Sequence, residues 1–392
     1  MILRAKQIAY VTYFTLFVIL VSCAGQRKGE NVDDNKVGIQ VEEMQFPPQN
    51  VLQLKSYYLS SPVHQDFIDV LIGYNSRLHS LDYINLKTKV VTQTQLSGEG
   101  PDGLTRLTGI YAHALDSVWL SDESEHVSLV DSTGAIRKTV SLRKHLKETE
   151  QLLILTNYAM YTSHLYYNAV RKSLMFLVKE MPSNSFAIKE IFVDSEKSAR
   201  SYELSPSKIV PDISEGYTYM DAPNVSFVGE HIIYNYPIES SIYTLNIRTS
   251  ERNVIAAESS YTSNLVEKFT SVGDYAALEK HRIENPHFYD VMYIPNIKMY
   301  ARLHVDKLEF DANRGLEKLI DGRELYLMLF NDAFEKVGEV KLPIHRYSYY
   351  TGWNVSNEGV LLFVDNVLDE QNTTDDLRID LVIPESGLKS FL

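Results

Sequence analysis

Hydrophobic and polar residues alternate along this chain in short runs that recur from residue 69 to residue 383. Each recurrence consists of a strand-like run, a polar turn, a second run, another turn and a third run. The recurrences begin near residues 69, 117, 174, 231, 289 and 360. Alternation with a period of two predicts half-buried β-strands, and the chain is therefore expected to be all-β.

Six units of roughly 45 to 70 residues each are within reach of the four-stranded blades of a β-propeller. We therefore predict a six-bladed β-propeller over residues 50–392. The ring is expected to close through a strand at residues 51–59 that pairs with the last unit, because closure removes an open sheet edge. The alternative fold is a pair of eight-stranded sandwiches, which would require two unrelated domains and disagrees with a repeat that runs through the whole body.

Two segments depart from the strand pattern. Within the fifth unit, residues 308–322 place Leu316, Leu319 and Ile320 at helical spacing, which predicts a short helical insertion. A second short helix is predicted over residues 142–155. Both would be insertions between strands rather than parts of the repeat.

The N-terminal segment has the pattern of a secretory signal peptide over residues 1–22. Arg4 and Lys6 supply a positive start, and the apolar residues that follow carry no charge up to residue 21. The Leu-Val-Ser-Cys tetrapeptide that ends at Cys23, the only cysteine, resembles the bacterial lipobox. This resemblance implies cleavage before Cys23 and the attachment of acyl chains such as palmitate to that residue.

An uncleaved signal anchor is the alternative, but the apolar run is shorter than the roughly 20 residues that a bilayer core requires. Residues 23–49 are rich in glycine, proline and charged side chains, and we expect them to form a lipidated flexible tether. Neither residue after Cys23 is acidic, so a known inner-membrane retention signal is absent. We expect an outer-membrane lipoprotein, and whether its body faces the periplasm or the cell exterior stays open.

The body behind the tether is acidic. The first 22 residues hold two of the 38 basic side chains and no acidic ones, so the remainder carries 36 basic and 51 acidic residues, a net charge of −15. Binding to nucleic acid depends on clustered Lys and Arg, and this charge argues against it. With one cysteine the chain forms no intrachain disulfide, and its stability must come from packing.

Three features resemble those of six-bladed propeller lipoproteins of the Bacteroidetes: the lipobox, the strand rhythm and the glycine-rich segment at residues 96–104. In particular, the chain resembles the family named domain of unknown function 4221. In that family a Tyr-Xaa-Arg element like Tyr300-Ala301-Arg302 and a Gly-Glu element like Gly338-Glu339 occur in the fifth blade. The resemblance covers most of the body and implies a TolB-like or NHL-like propeller in the cell envelope. It supplies no known catalytic residues.

Four aromatic residues cluster where the chain enters the last unit. They are Tyr347, Tyr349, Tyr350 and Trp353. Strand-entry loops of propellers often face the central channel, and aromatic rings there could stack on a sugar. Half-buried strand tyrosines give the same pattern, so packing remains the competing interpretation.

Acidic residues crowd a loop in the last unit, with Asp365, Asp369 and Asp375 as weak calcium candidates. Carboxylate and amide oxygens suit a hard cation, but the spacing does not match an EF-hand. Three other aspartates end strands of the repeat: Asp82, Asp131 and Asp194. We interpret these three as turn residues that hydrogen-bond the bending backbone.

No spacing in the sequence demands a catalytic centre or a cofactor. The leading hypothesis is a lipid-anchored, non-catalytic propeller that binds an envelope protein or a glycan through its loop face. The alternative is a calcium-dependent hydrolase of the lactonase or phosphoesterase type, with one calcium held on the axis by residues from separate blades. A passive assembly scaffold is the third possibility, because fold alone does not determine function.

Overall fold

The structure is a computed structural model, and it describes residues 38–46, 51–65, 67–98, 100, 103–153, 165–194, 198–209, 217, 220–269, 273–348, 352–371 and 376–385. In these residues the chain forms six antiparallel sheets that follow one another in sequence order. The first strands of neighbouring blades lie side by side around a common axis. The prediction of an all-β, six-bladed propeller is confirmed.

The strand β1 (Ile39–Met44) belongs to the last blade. Blade one consists of β2 (Ser60–Gln65), β3 (Ile68–Asn75), β4 (Ser80–Asn85) and β5 (Val91–Gln95). Blade two consists of β6 (Leu107–Ala114), β7 (Ser117–Asp122), β8 (His126–Val130) and β9 (Ile136–Ser141). Blade three has a divided inner edge, and its strands are β10 (Glu150–Leu152), β11 (Tyr166–Asn168), β12 (Ser173–Glu180), β13 (Ser185–Phe192) and β14 (Arg200–Glu203).

Blade four consists of β15 (Asn224–Val228), β16 (His231–Asn235), β17 (Ile242–Asn246) and β18 (Arg252–Ile255). Blade five consists of β19 (His287–Ile294), β20 (Met299–Val305), β21 (Leu325–Phe330) and β22 (Lys336–Lys341). Blade six contains β23 (Trp353–Val355), β24 (Val360–Phe363), β25 (Ile379–Pro384) and, as its outer strand, β1.

Within the described residues, two α-helices interrupt the strands. Helix α1 (Tyr275–Ile283) precedes blade five, and Asp274 caps it by accepting a hydrogen bond from the Ala277 amide. Helix α2 (Leu316–Asp321) lies within blade five, which confirms the helical insertion predicted there. No helix in the described part of the chain has the length and apolar character needed to span a bilayer.

The second predicted helix, at residues 142–155, is wrong in its main part. A 3₁₀-helix covers only Arg143–His145, and β10 follows at Glu150–Leu152. Glu150 to Leu152 pair with β12, so sheet pairing overrides the local helical spacing.

The ring closes through β1 rather than through residues 51–59. Strand β1 pairs with β25, with Ile39 opposite Pro384 and Met44 opposite Ile379, whereas residues 51–59 form no strand. The tether prediction for residues 23–49 therefore extends too far. Sequence reasoning missed β1 because most of its side chains are exposed and its polar composition resembles that of a linker. The predictions for residues 1–22 and for Cys23 lie outside the described residues.

The two ends of the propeller differ in their connections. Because strands within a blade are antiparallel, the turns from first to second and from third to fourth strand lie at one end, here called the short-turn end. The connections from second to third strand, and those that lead to the next blade, lie at the other end, here called the long-loop end. Helices α1 and α2 both belong to the long-loop end.

The core consists of side chains packed between adjacent blades. Between blades five and six, Leu303, Leu327 and Leu329 pack with Trp353 and Leu362, and all five are buried. Such aliphatic contacts supply most of the favourable free energy of folding, about 25 cal/mol per Å² of apolar surface removed from water.

The aspartates of the repeat do not share one role. Asp131 accepts hydrogen bonds from the amides of Thr133 and Ala135, as expected of a turn residue, and Asp194 lies in a turn after β13. The turn interpretation is wrong for Asp82, which lies inside β4 and is fully buried. Its carboxylate accepts hydrogen bonds from the following side chains: Tyr57, Asn75, Ser80 and Gln93. Asp82 is therefore a structural centre of blade one.

Candidate functional site

The candidate site lies where blade five packs on blade four. Strand alternation puts Arg302 and His304 of β20 on one face of blade five. The register places Arg302 opposite Met328, and Met328 opposite Glu339 of β22. The two family-like elements of the sequence therefore meet on this face.

Arg302 is a fully buried cation. Its guanidinium donates hydrogen bonds of 2.7 Å to the carbonyl oxygens of Ser240 and Ala257, which belong to blade four and to the loop behind it. The guanidinium also lies over the rings of Phe288 and Phe330, at 4.9 and 5.6 Å from their centroids. Burial lowers the pKa of Arg302 to about 9, which leaves it charged at neutral pH and makes these contacts necessary.

His304 and Glu339 form a buried pair beside Arg302. His304 Nε2 and Glu339 Oε1 are 2.9 Å apart. Burial lowers the pKa of His304, although the hydrogen bond to Glu339 opposes that change. The imidazole is therefore neutral at neutral pH, and its Nε2–H donates to the carboxylate.

Glu339 also fixes the loop at residues 256–264, which leaves blade four. Ser259 Oγ donates to Glu339 Oε1 at 2.5 Å, and the Ser260 amide donates to Oε2 at 2.8 Å. Burial by itself would raise the pKa of Glu339, but hydrogen bonds from His304, Ser259 and Ser260 lower it to about 2. Lys336 Nζ adds a contact of 3.1 Å to Oε2.

A stack of planar groups leads from this buried network to the surface. The Tyr261 ring lies 5.0 Å from that of Tyr326, which lies 5.1 Å from the His304 ring. His304 in turn stacks on Phe288 at 5.5 Å. Tyr326, His304 and Phe288 are buried, whereas Tyr261 is 43% exposed. Tyr261 is thus the solvent-facing end of a stack whose inner members are held in place.

The hydrogen-bonding groups of this network are already engaged with one another and with the loop. Thr262 Oγ1 lies 3.3 Å from His304 Nδ1, so Thr262, His304 and Glu339 have the order of a nucleophile, a base and an orienting carboxylate. All three are nevertheless buried, and both oxygens of Glu339 already accept hydrogen bonds from the loop. The network positions Tyr261.

The predicted aromatic site is not an exposed platform in the part that the structure describes. Tyr347 is buried and donates its hydroxyl to Asp380 at 2.7 Å. Trp353 is 6% exposed and donates from Nε1 to Asp290 at 2.8 Å. Both rings belong to the core between blades, where half-buried strand aromatics are stabilised best. Tyr349 and Tyr350 lie outside the described residues.

Two of the weak calcium candidates lie in the described residues, and both accept hydrogen bonds from backbone amides. Asp365 accepts a hydrogen bond from the Ser348 amide, and Asp369 accepts one from the Gln371 amide. Asp375 lies outside the described residues. In the described ranges no group of three or more His, Cys, Asp or Glu side chains is placed to hold a metal ion.

Sequence reasoning found Arg302 and Glu339 only by resemblance, and it missed His304 and Tyr261. Period-two alternation after Arg302 would have placed His304 on the same face of β20. Tyr261 has no comparable indication, because it lies in a loop whose course depends on contacts with a strand some 80 residues later.

Comparisons with known proteins agree with this architecture. The sequence profile described as Domain of unknown function (DUF4221) matches residues 36–341. The crystal structure of a member of that family from Bacteroides vulgatus has a TM-score of 0.71 and 15% identity, and it covers 90% of this chain and 99% of its own. No curated protein matches the sequence significantly.

Two further solved structures are similar at a lower level. A putative exported protein from Bacteroides fragilis has a TM-score of 0.49 and 11% identity, with 89% of this chain and 96% of that chain covered. The calcium-binding protein regucalcin from Agrobacterium tumefaciens has a TM-score of 0.42 and 8% identity, with 84% and 91% covered. At these identities the likeness concerns the fold alone.

Proposed function

Because the chain belongs to the DUF4221 family, whose description assigns no activity, we propose its function from geometry: it is a non-catalytic binding module. Its partner is an envelope protein or a glycan, bound at the long-loop end around Tyr261. The observation that carries this proposal is the exposed ring of Tyr261 at the end of a buried, fully engaged stack.

An aromatic ring that is already held in place loses little conformational entropy when a partner binds. Binding normally costs the ordering of interface side chains, about 0.5 to 1.5 kcal/mol for each rotamer-rich group. The amides of Tyr261 and Thr262 both donate to Ser259 Oγ at 3.0 Å, and Tyr326 supports the ring from behind. Much of the ordering cost is therefore met before binding, which is typical of binding hot spots built on tyrosine.

The proposal also covers the location of the protein in the cell. The lipobox-like end of the signal peptide supports a lipid anchor at Cys23, and the acidic body supports a partner other than nucleic acid. We place the protein in the bacterial cell envelope as an outer-membrane lipoprotein. We offer no second function, because the calcium-dependent hydrolase requires a set of ligands that no observation on the described residues favours.

The first test is a glycan panel with the full-length protein. Three forms are compared: wild type, Tyr261→Ala and Tyr275→Ala. Tyr275 is the matched control, an 81% exposed tyrosine on α1 at the same end of the propeller. For a glycan partner we expect at least a tenfold loss of affinity in Tyr261→Ala and none in Tyr275→Ala.

The second test addresses a protein partner. A photoreactive phenylalanine analogue replaces Tyr261 in cells, with Tyr275 replaced in a separate control strain. A cross-linked species found from position 261 and absent from position 275 would support a protein partner. Absence of any Tyr261-dependent binding in both experiments would contradict the proposed function.

A further inference from the structure

The chain enters the propeller at the short-turn end. Strand β25 follows the long connection at residues 364–378, so it runs from the long-loop end to the short-turn end. Strand β1 is antiparallel to β25, with Ile39 opposite Pro384. Gly38, just before β1, therefore lies at the short-turn end.

Two hairpin tips at this same end carry apolar side chains that contact little else. Phe67, between β2 and β3, is 90% exposed, and Val170, between β11 and β12, is 96% exposed. They are the most exposed large hydrophobic side chains in the described part of the chain. Both tips join the first two strands of a blade, which lie on the axis side of each sheet. Side chains as exposed as these are available to insert into a surface outside the propeller.

The length of chain outside the propeller limits what that covering can be. Fourteen residues separate Cys23 from Gly38, and even fully extended they span at most about 50 Å. A lipid at Cys23 would therefore hold the point where the chain enters the propeller, at the short-turn end, within about 50 Å of the bilayer surface. The long-loop end, with Tyr261, is the end farther from the point where the chain enters.

We propose that the short-turn end docks on the lipid bilayer, with Phe67 and Val170 inserted at its surface. This rests on the lipid anchor of the proposed function and adds an orientation to it. A single apolar tip binds a membrane weakly, but a second point of attachment adds to an anchor that is already in place. Docking would hold Tyr261 away from the membrane and towards its partner.

Lipid charge is not expected to drive this docking. The turns of the short-turn end carry both signs of charge, with Lys87, Lys172 and Lys298 against Glu230, Glu251 and Glu358. Insertion of apolar side chains should therefore suffice, and vesicles of zwitterionic phosphatidylcholine are the appropriate probe.

Fluorescence quenching tests the contact directly. The two native tryptophans, Trp119 and Trp353, are 2% and 6% exposed, so their emission gives a background that lipid does not reach. Phe67→Trp and Val170→Trp are introduced separately into the full-length, lipidated protein, and the proteins are reconstituted in vesicles with or without brominated acyl chains. We expect brominated lipid to reduce the added emission at least twofold at both positions.

The matched control is Tyr275→Trp, an exposed aromatic position at the opposite end. Its emission should be the same in both kinds of vesicle. Quenching at position 275, or equal emission in both vesicles at positions 67 and 170, would overturn the proposal. Melting of each variant by circular dichroism checks that the fold is retained.

A Cys23→Ala form separates this proposal from the lipid anchor. If wild type floats with vesicles and Cys23→Ala does not, the anchor stands, and the quenching result alone decides the docking. If Cys23→Ala still floats and is quenched at position 67, docking is supported and the anchor fails. A blue shift of Phe67→Trp emission that grows with the concentration of Cys23→Ala protein in buffer would mean that a second copy covers the tip, which would overturn docking on lipid.

Discussion

The two faces of blade five are built from the same strands, but one buries aliphatic side chains and the other buries polar and charged ones. Towards blade six, β20 and β21 present Leu303, Leu327 and Leu329, all in one aliphatic cluster. Towards blade four, the alternate positions of the same strands present Arg302 and His304, among others. On the first face β20 and β21 bury only apolar side chains, whereas the second face must supply a partner for each polar group that it buries.

The two faces constrain the structure to different degrees. Aliphatic packing tolerates several arrangements of similar volume. The polar face does not, because Glu339 and Arg302 together bond four groups of blade four and its loop, Ser240, Ala257, Ser259 and Ser260. We infer that the aliphatic face mainly stabilises the propeller and that the polar face fixes the position of the Tyr261 ring. The following changes test that division.

The largest loss of stability is expected on the aliphatic face. Leu327→Ala removes a fully buried side chain, and the cavity should lower the free energy of unfolding by about 2 to 5 kcal/mol. Denaturant unfolding measures this loss. Leu316→Ala, at a partly exposed leucine of α2, is the matched control. Partner binding below the melting temperature should be unchanged, and a loss of binding comparable to that of Tyr261→Ala would contradict the division.

A smaller loss is expected from Glu339→Gln on the polar face. The amide group keeps the shape, but its NH₂ cannot accept hydrogen bonds from the Ser260 amide and Lys336. We expect a loss of about 2 to 3 kcal/mol and, unlike Leu327→Ala, weaker partner binding. Glu123→Gln, in an exposed pair with Arg106, should change stability by less than about 0.5 kcal/mol. Equal stability of Glu339→Gln and wild type would refute the role of this carboxylate.

Acidification should weaken the polar face in two steps. The pKa of His304 is lowered by burial, so its contribution is complete above the unfolded value of about 6.5 and falls as the pH drops below it. The pKa of Glu339 is lowered from 4.5 to about 2, so its contribution is complete above pH 4.5 and is lost as the pH falls towards 2. By pH 3 the loss of the Glu339 contribution should lower the free energy of unfolding by about 2 kcal/mol.

Unfolding free energies of wild type and Glu339→Gln, measured between pH 7 and pH 3, isolate this contribution. The difference between the two proteins should shrink as the pH falls through the window from 4.5 to 3. A difference that is constant, or that grows, would contradict the assignment of Glu339 as an ionised group.

The smallest effect on stability is expected at the exposed end of the stack. Tyr261→Ala removes one half-exposed ring and its contact with Tyr326, at a cost of about 0.5 to 1 kcal/mol. Thermal unfolding should therefore shift little, while partner binding is lost. A loss as large as that of Leu327→Ala would mean that Tyr261 belongs to the core.

The sequence predicts the propeller well because period-two alternation is a local property. Each blade repeats its own strand pattern, and the helical spacing of Leu316, Leu319 and Ile320 correctly marks α2. Strand β1 shows where local reasoning ends. Its Glu43 forms ion pairs with Arg346 and Arg378, and its pairing with β25 uses backbone hydrogen bonds. Neither kind of contact produces an alternating hydrophobic pattern in the sequence.

The candidate site was predicted less completely for a related reason. Arg302 and Glu339 stand out in the sequence only through a family resemblance, whereas the loop that they hold belongs to the preceding blade. The sequence leaves two interpretations of Trp353 open, because an aromatic cluster looks the same in a sequence whether it is exposed or packed. The hydrogen bond of Trp353 to Asp290 joins two blades, and contacts of that kind follow from the tertiary fold.

The closure of blade six has a consequence for how the protein is made. Glu43 of β1 accepts a hydrogen bond from Arg378, which lies 335 positions later. Strand β1 therefore has no partner strand until β25, near the end of the chain, has been synthesised. Contacts at such separation form slowly, and an unpaired strand edge can recruit other chains. A truncated product that lacks β25 leaves that edge open permanently. Completion of the ring thus distinguishes full-length molecules from interrupted ones, and incomplete chains are the ones left exposed to aggregation and proteolysis.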